Sequence, residues 1–323
     1  MLRSLARLAP ALRLTRVTTA FGAVANVWFV ILWSRLTPEE TAQQSILAGS
    51  IWLELIGGFL IATGLYGFAA AGNDVLDARR DRTLRPDRPI ASGALSPETA
   101  VAVTTCSLIF AGIGASALGL WSVRFLLVVA MAILFYNFAG RHFSSVRVVL
   151  LGLIYAMHMF VPNPQLAFVW PVWVAMTHAL AVSAITHTLA GGRPPLTRRS
   201  IAAATAGWLF WSGAILSVGW WRTGAIWPTW ASGAGAIIVA ALAVAFAILV
   251  VRIVRQGSGR IAADRVMRFG AFWLALYSAG WLLGQGHTEE GLAIMLIAVF
   301  GFAGAVTLHE LAARIERPID YRL

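Results

Sequence analysis

The sequence predicts an all-α membrane protein, a polytopic bundle of nine to ten transmembrane helices. Of its 323 residues, 59% are hydrophobic and only 12% are charged, whereas soluble domains carry about 25% charged residues. Apolar segments recur from one end of the chain to the other, and the alternation typical of membrane strands is absent. These observations exclude a soluble globular enzyme and an intrinsically disordered chain.

Ten apolar segments approach the length of about 20 residues that a spanning helix requires. We expect residues 17–309 to form a single transmembrane domain, preceded by an N-terminal segment, 1–16, and followed by a tail, 310–323. The predicted spans cover residues 17–34, 47–71, 99–120, 124–140, 147–162, 167–189, 201–221, 229–251, 269–285 and 291–309.

The distribution of arginine predicts the orientation. Every basic residue is an arginine, and the net charge is +11. Between the predicted spans, all arginines except Arg35, Arg124 and Arg222 fall on one side of the membrane. Cytoplasmic loops carry such an excess of positive charge, so both termini are predicted to be cytoplasmic and no nucleic acid is expected as a partner. The composition is compatible with the inner (cytoplasmic) membrane of a bacterium, and the sequence does not define an oligomeric state.

The first sixteen residues are rich in arginine and contain no acid. A mitochondrial transit peptide has this composition. The alternative is a cytoplasmic amphipathic helix that lies on membrane lipid headgroups. We favour the helix, because its charges also fit the predicted orientation.

The most polar segment of the chain is the loop that follows the second span, residues 72–100. Asn73, Asp77 and Asp81 are spaced four residues apart and would share one helix face, with Asp74 at its edge. Carboxylate and amide oxygens suit Mg²⁺, and arginines bind phosphate oxygens. By composition alone, a metal–diphosphate site and a solvated loop with local ion pairs remain open. The arginines of this loop are Arg79, Arg80, Arg82, Arg85 and Arg88.

The run GNDVLDARRDRTLRPDRPIASGALS resembles the first aspartate-rich motif of the UbiA superfamily of intramembrane prenyltransferases. That motif reads N-D-x-x-D-x-x-x-D, followed by R-P-x-R-P-I-x-S-G. Arg16, just before the first span, resembles the N-terminal arginine of the family. Tyr136, Asn137 and Arg141 resemble its Y-[SN]-x-x-x-K element, with arginine in place of lysine.

The resemblance implies a transferase of alkyl or aryl (prenyl) groups other than methyl. Such an enzyme moves an isoprenyl group from an isoprenyl diphosphate to a hydrophobic, aromatic or lipid-like acceptor, with Mg²⁺ as cofactor. It also implies catalytic roles for Asn73, Asp77 and Asp81. The implied metal ligands are Asn73, Asp74, Asp77 and Asp81, and the implied substrate-binding residues are Arg88, Tyr136 and Arg141.

The chain departs from the family pattern in the loop between the sixth and seventh spans. The family has a second aspartate-rich motif there, whereas residues 184–200 contain no acid. Arg193 is a candidate to neutralise pyrophosphate in its place. We interpret His187 as a helix-end histidine bonded to backbone or water rather than as a metal ligand. The departure keeps an alternative open, a non-catalytic UbiA-like protein that binds or moves an isoprenoid lipid.

Overall fold

The structure of the protein, a computed structural model, describes residues 10–41, 49–140 and 142–316, without the side chains of Thr18, Thr41 and 308–316. All regular secondary structure in these ranges is helical, which confirms the predicted all-α class. A 3-10 turn, Val17–Thr19, and a short helix, Pro38–Thr41, flank the first long helix. The long helices are α1 (Phe21–Leu36), α2 (Ile51–Leu84), α3 (Pro97–Leu118), α4 (Leu120–Ala139), α5 (Ser144–Phe160), α6 (Trp170–Leu189), α7 (Arg198–Thr223), α8 (Gly233–Gln256), α9 (Arg260–Gln285) and α10 (Thr288–Glu316).

Each predicted span overlaps one of these helices. Eight of them are long and apolar enough to cross a membrane, while α1 and α5 are apolar but shorter. The largest difference at the start of a helix is at α9, which begins at Arg260 rather than at residue 269. An apolar run marks where a helix enters lipid, whereas backbone hydrogen bonding continues through the polar residues before it. The chain is an integral membrane protein.

Six helices pack in sequence around a closed ring. They are α1, α2, α4, α5, α6 and α9, and α9 returns to pack against α1. The other four lie outside the ring: α3 against α2 and α4, α7 against α5 and α6, α8 against α9, and α10 against α9 and α1. We call the end of this ring that carries the α2–α3 loop, residues 85–96, the motif end.

The end opposite the motif end is closed by buried groups. Trp33 stacks on Phe168 at 5.1 Å between ring centroids, and Phe168 meets Trp281 edge-on at 5.3 Å. The buried carboxylate of Glu40 accepts hydrogen bonds from the backbone N–H groups of Ala167 and Phe168, at 2.8 and 2.7 Å. These contacts fill the end of the bundle that lies opposite the motif.

Helices α2 and α3 approach closely because glycines face each other. A Cβ added to Gly57 would lie 2.9 Å from the carbonyl oxygen of Gly114, tighter than real side-chain contacts. Membrane helices commonly use small residues in this way to bring their backbones together. The contact fixes α2, and with it the polar residues at its C-terminal end, against the rest of the bundle.

We expect Gly114→Ala to destabilise the protein by about 1–3 kcal/mol, the usual cost of overpacking a tight interface. Gly112→Ala is the matched control, because a Cβ at Gly112 meets nothing within 4 Å. Denaturant unfolding in detergent measures both. Equal stability of the two variants would show that the α2–α3 contact is not close-packed.

Candidate active site at the α2–α3 loop

Helix α2 carries the aspartate-rich motif beyond the membrane. Its 34 residues span about 51 Å, whereas the hydrocarbon core of a bilayer is about 30 Å thick. Asn73, Asp74, Asp77 and Asp81 all lie on its last three turns. The structure thus places them on one continuous helix at the motif end, as the sequence predicts.

Two of the aspartates are joined by a chain of ion pairs. The Oδ1 atom of Asp74 lies 3.1 Å from Nη2 of Arg16 and 3.0 Å from Nη1 of Arg88. The same Nη1 of Arg88 lies 2.6 Å from Oδ2 of Asp81. Arg88 therefore bridges two carboxylates that stand two helical turns apart. We call this set, Arg16, Asp74, Arg88 and Asp81, the ion-pair chain.

The members of the ion-pair chain are unequally buried. The side chains of Asp74 and Asp81 are 3% and 8% exposed, and that of Arg88 is 14% exposed. Arg16 is more open, at 42%. Charges removed from water are stabilised only when they are paired, so the bridge by Arg88 is what permits both aspartates to be buried.

Further arginines gather beside the ion-pair chain. Partial burial lowers the pKa of the Arg85 guanidinium, and the nearby charges of Arg88, Arg260 and Arg16 lower it further. Arg260 begins α9, so three separate parts of the chain bring positive charge to one place. Like charges at close range repel, and a bound anion would relieve that repulsion. The electrostatics of the motif end therefore favour a polyanionic ligand such as a diphosphate.

A small apolar cluster holds the arginine-bearing segments in place. It consists of Leu14, Ala71, Ile90 and Ala100, all buried. Leu14 lies two residues before Arg16, and Ile90 lies two residues after Arg88. The cluster thus packs Leu14 and the α2–α3 loop against the later part of α2 and the start of α3.

The predicted Mg²⁺ ligands fit one metal ion only in part. Among the described residues, no group of three or more histidines, cysteines and acids is arranged to hold a metal. Asp74 and Asp81 already pair with arginine, while Asn73 and Asp77 are half-buried on the same turns. Mg²⁺ typically uses one or two carboxylates together with substrate phosphates. This set suits a single Mg²⁺ whose remaining ligands are diphosphate oxygens and water.

Next to the motif lies a group of tyrosines. Tyr136 at the end of α4 stacks under the guanidinium of Arg147, at 5.5 Å. Tyr155 on α5 lies close to both Tyr66 of α2 and Tyr136. The neighbouring Asn137 is buried against Gly72, with its Nδ2 atom 3.6 Å from where a Cβ would stand on that glycine. Tyr136 precedes Asn137 in the chain, and Asn73 follows Gly72. The contact between Asn137 and Gly72 therefore places Tyr136 near Asn73.

Sequence reasoning did not single out Tyr66, Tyr155 or Arg147. Tyr66 and Tyr155 lie inside apolar spans, where an isolated tyrosine gives no pattern. Arg147 occupies the start of α5, and its role beside Tyr136 is visible only once α4 and α5 pack together. Arg141, predicted to bind substrate, lies outside the described residues.

The loop between α6 and α7 contributes no described contact to the ion-pair chain. Arg193 is exposed and forms no ion pair with an acid among the described side chains. The Nε2 atom of His187 is 2.9 Å from the carbonyl oxygen of Pro194, and Ser144 donates a hydrogen bond to Pro195 O at 3.3 Å. His187 is therefore a helix-end histidine bonded to backbone, as interpreted from the sequence.

We expect His187→Ala to leave turnover per folded molecule unchanged, because the imidazole is committed to a loop carbonyl. Stability should fall by about 1 kcal/mol, the usual net value of one hydrogen bond. Activity assays normalised to folded protein, with a parallel melting curve, check this. Complete loss of turnover with normal stability would instead place His187 in the chemistry.

Comparisons with known proteins agree with this geometry. The sequence model of the UbiA prenyltransferase family matches residues 27–276. No curated protein sequence matches the chain. Among solved structures, a digeranylgeranylglyceryl phosphate synthase superimposes with a TM-score of 0.52 at 15% identity, covering 86% of this chain and 98% of that one.

Two other solved structures are similar over most of their length. An apo UbiA homologue from Aeropyrum pernix K1 gives a TM-score of 0.47 at 16% identity, over 90% of this chain and 98% of that one. A UbiA homologue from Archaeoglobus fulgidus, bound to DMAPP and Mg²⁺, gives 0.46 at 14% identity, over 92% and 99%. The family model covers well over half of the sequence, and the motif, its helix and the bundle agree with it. The chain belongs to the UbiA prenyltransferase family.

Proposed function

We propose that this protein is a prenyltransferase that moves an isoprenyl group from an isoprenyl diphosphate to a hydrophobic acceptor within the membrane. The proposal rests on the ion-pair chain, in which Arg16 and Arg88 both contact Asp74 and Arg88 also contacts Asp81. Asn73 and Asp77 lie on the same turns of α2. Family membership supports the same reaction class. A diphosphate headgroup would lie at this polar end, while its apolar chain extends among the helices.

In this proposal the arginines bind the diphosphate, and the asparagine and aspartates of the motif hold the metal ion that stabilises its charge. Arg88 and Arg85 would donate hydrogen bonds to diphosphate oxygens, and Arg16 would add positive charge at the rim. Asn73, Asp77 and Asp81 would hold Mg²⁺ against the diphosphate, with Asp74 positioning Arg88. Bound Mg²⁺ would supply Lewis-acid stabilisation of the departing pyrophosphate.

In the proposed reaction, the bond between the allylic C1 and the diphosphate oxygen breaks, and pyrophosphate keeps the electron pair. A nucleophilic carbon or oxygen of the acceptor forms the new bond to C1 and then loses a proton. Fixed positive charge around the leaving group would lower the activation barrier for cleavage of this bond, because it stabilises the negative charge that develops on pyrophosphate. Tyr136 is proposed to border the substrate, and Arg193 to add positive charge when pyrophosphate forms.

We further propose that the motif end faces the cytoplasm of a bacterial cell, with the protein in the inner membrane. In this orientation residues 1–16 and 310–323 are cytoplasmic, and 17–309 form the membrane domain. The arginine bias between alternate loops supports the orientation. A water-soluble diphosphate headgroup would then reach the site from the compartment where such substrates are made.

A second candidate function is a non-catalytic protein that binds or moves an isoprenoid lipid. Two observations favour it: residues 184–200 contain no acid, and Asp74 and Asp81 are already paired with arginine. Such a protein would bind an isoprenyl diphosphate without releasing pyrophosphate.

Pyrophosphate release by the purified protein in nanodiscs distinguishes these functions. Allylic diphosphates of short to long chain length are supplied with Mg²⁺ or with EDTA, with and without a mixed aromatic acceptor pool. We expect Mg²⁺-dependent release that increases with acceptor. Saturable binding without release, across the whole panel, would favour the non-catalytic function, and neither binding nor release would overturn both.

A further inference from the structure

A cavity at the motif end lies outside the ring of helices. It has a volume of about 380 Å³ and is formed by α8, α9 and α10. Leu249 and Ile253 of α8, Phe269 of α9 and Phe302 of α10 line its apolar part. The ring of Phe302 stacks on that of Phe269 with 5.5 Å between centroids, so the tenth helix completes the wall.

The remaining lining of this cavity is polar and carries two positive charges. Arg265 and Arg268 of α9 and Gln256 of α8 contribute its polar groups. Neither arginine forms an ion pair with an acidic side chain that the structure describes. The surrounding segment, residues 249–269, contains one acid, Asp264, against five arginines: Arg252, Arg255, Arg260, Arg265 and Arg268. Paired ammonium or guanidinium groups at an apolar cavity complement an anion that carries an apolar tail.

The depth of the cavity matches the membrane boundary. The apolar run of α8 ends near residue 251, and that of α9 begins near residue 269. Arg265 and Arg268 therefore lie at headgroup level, while Leu249 and Phe269 lie at the edge of the hydrocarbon. A lipid placed with its phosphate on the arginines would direct its acyl chains along Phe269 and Phe302.

We propose that this cavity binds a phospholipid with a net negative headgroup. Two guanidiniums suit a phosphodiester because their N–H groups match its non-ester oxygens. Basic pockets between helices on the cytoplasmic side of a membrane hold anionic headgroups through the same combination of charge and apolar wall. The site uses none of the residues of the ion-pair chain, so it does not depend on the proposed transferase activity.

The test measures the affinity of the delipidated full-length protein in neutral detergent for dioctanoyl phosphatidylglycerol and dioctanoyl phosphatidylcholine. We expect phosphatidylglycerol to bind more tightly, and Arg265→Gln with Arg268→Gln to weaken it roughly tenfold to thirtyfold, about 1 kcal/mol for each charge removed. The control, Arg252→Gln with Arg255→Gln, removes the same charge from α8 outside the cavity lining and should retain the preference.

Three outcomes would overturn the proposal. Equal weakening in both double variants would mean diffuse electrostatic attraction. Equal binding of phosphatidylcholine would mean that the arginines do not select charge. If inorganic phosphate displaced phosphatidylglycerol fully at a concentration similar to that of the lipid, the apolar wall would contribute nothing to the affinity.

A second variant tests the apolar wall without changing charge. Ile253→Trp fills the cavity from α8 and leaves both arginines in place. We expect it to lose phosphatidylglycerol binding while it still elutes as a single species and keeps the helical circular-dichroism spectrum of the wild type. Unchanged lipid affinity in this folded variant would contradict the assignment of the acyl chains to the cavity.

Discussion

Replacing Arg88 by glutamine is expected to lower the free energy of unfolding by about 3 kcal/mol and to abolish diphosphate binding. The buried carboxylate of Asp81 loses the partner that stands 2.6 Å away, and Asp74 keeps Arg16 and the side chain of Asn73. Removing one member of a buried ion pair typically costs about 3–5 kcal/mol, and the remaining contact with Arg16 favours the lower end. Denaturant unfolding and titration with geranyl diphosphate measure the two effects.

The matched control for this prediction is Arg82→Gln, since Arg82 follows Asp81 at the end of α2 and is exposed. It should change stability by less than about 1 kcal/mol, as for surface charges generally. Arg88→Lys should recover part of the stability, because one ammonium keeps the charge without the planar geometry of a guanidinium. Wild-type stability and binding in Arg88→Gln would show that the ion-pair chain does not organise the site.

The second large effect is expected from Asp77→Asn. This substitution keeps the shape of a half-buried side chain and removes the negative charge proposed to hold Mg²⁺. We expect Mg²⁺-dependent pyrophosphate release to fall at least about 100-fold, since loss of a metal ligand removes several kcal/mol of leaving-group stabilisation. Turnover is compared at equal amounts of folded protein, so that any change in stability does not enter the comparison.

Asp87→Asn is the control for Asp77, because Asp87 lies in the adjacent α2–α3 loop and is exposed. Its turnover should match the wild type. If Asp77→Asn retained full Mg²⁺-dependent turnover, Asp77 would not be a metal ligand. Equal loss in both variants would point to the charge of the loop as a whole rather than to one ligand.

The helical architecture and the position of the motif were predictable from sequence. Apolar length alone located the ten helices, because lipid admits only segments whose backbone groups bond internally. The four-residue spacing of Asn73, Asp77 and Asp81 predicted their common helix, and α2 indeed continues through Leu84. Both inferences use short stretches of sequence. The length of an apolar segment is enough to predict a spanning helix, and the spacing of polar residues is enough to predict their shared face.

The partners of the motif residues were not predictable in the same way. The contact of Arg16 with Asp74 joins residues 58 positions apart, and Arg260 approaches from the start of α9. The group of Tyr66, Tyr136 and Tyr155 likewise depends on which faces of α2, α4 and α5 meet. Such contacts follow from packing between helices, and an apolar helix has no strong polar pattern that marks its inner face.

Locating the bound diphosphate tests directly whether the α2–α3 loop is the substrate site. Hydrogen–deuterium exchange of the full-length protein in nanodiscs is compared with and without Mg²⁺ and a non-hydrolysable geranyl thiolodiphosphate. We predict slower exchange in peptides covering residues 73–92, because the ligand would order the end of α2 and the arginines of the loop. Protection confined to other segments, or no ligand-dependent protection at saturating concentration, would contradict the assignment of the α2–α3 loop as the diphosphate site.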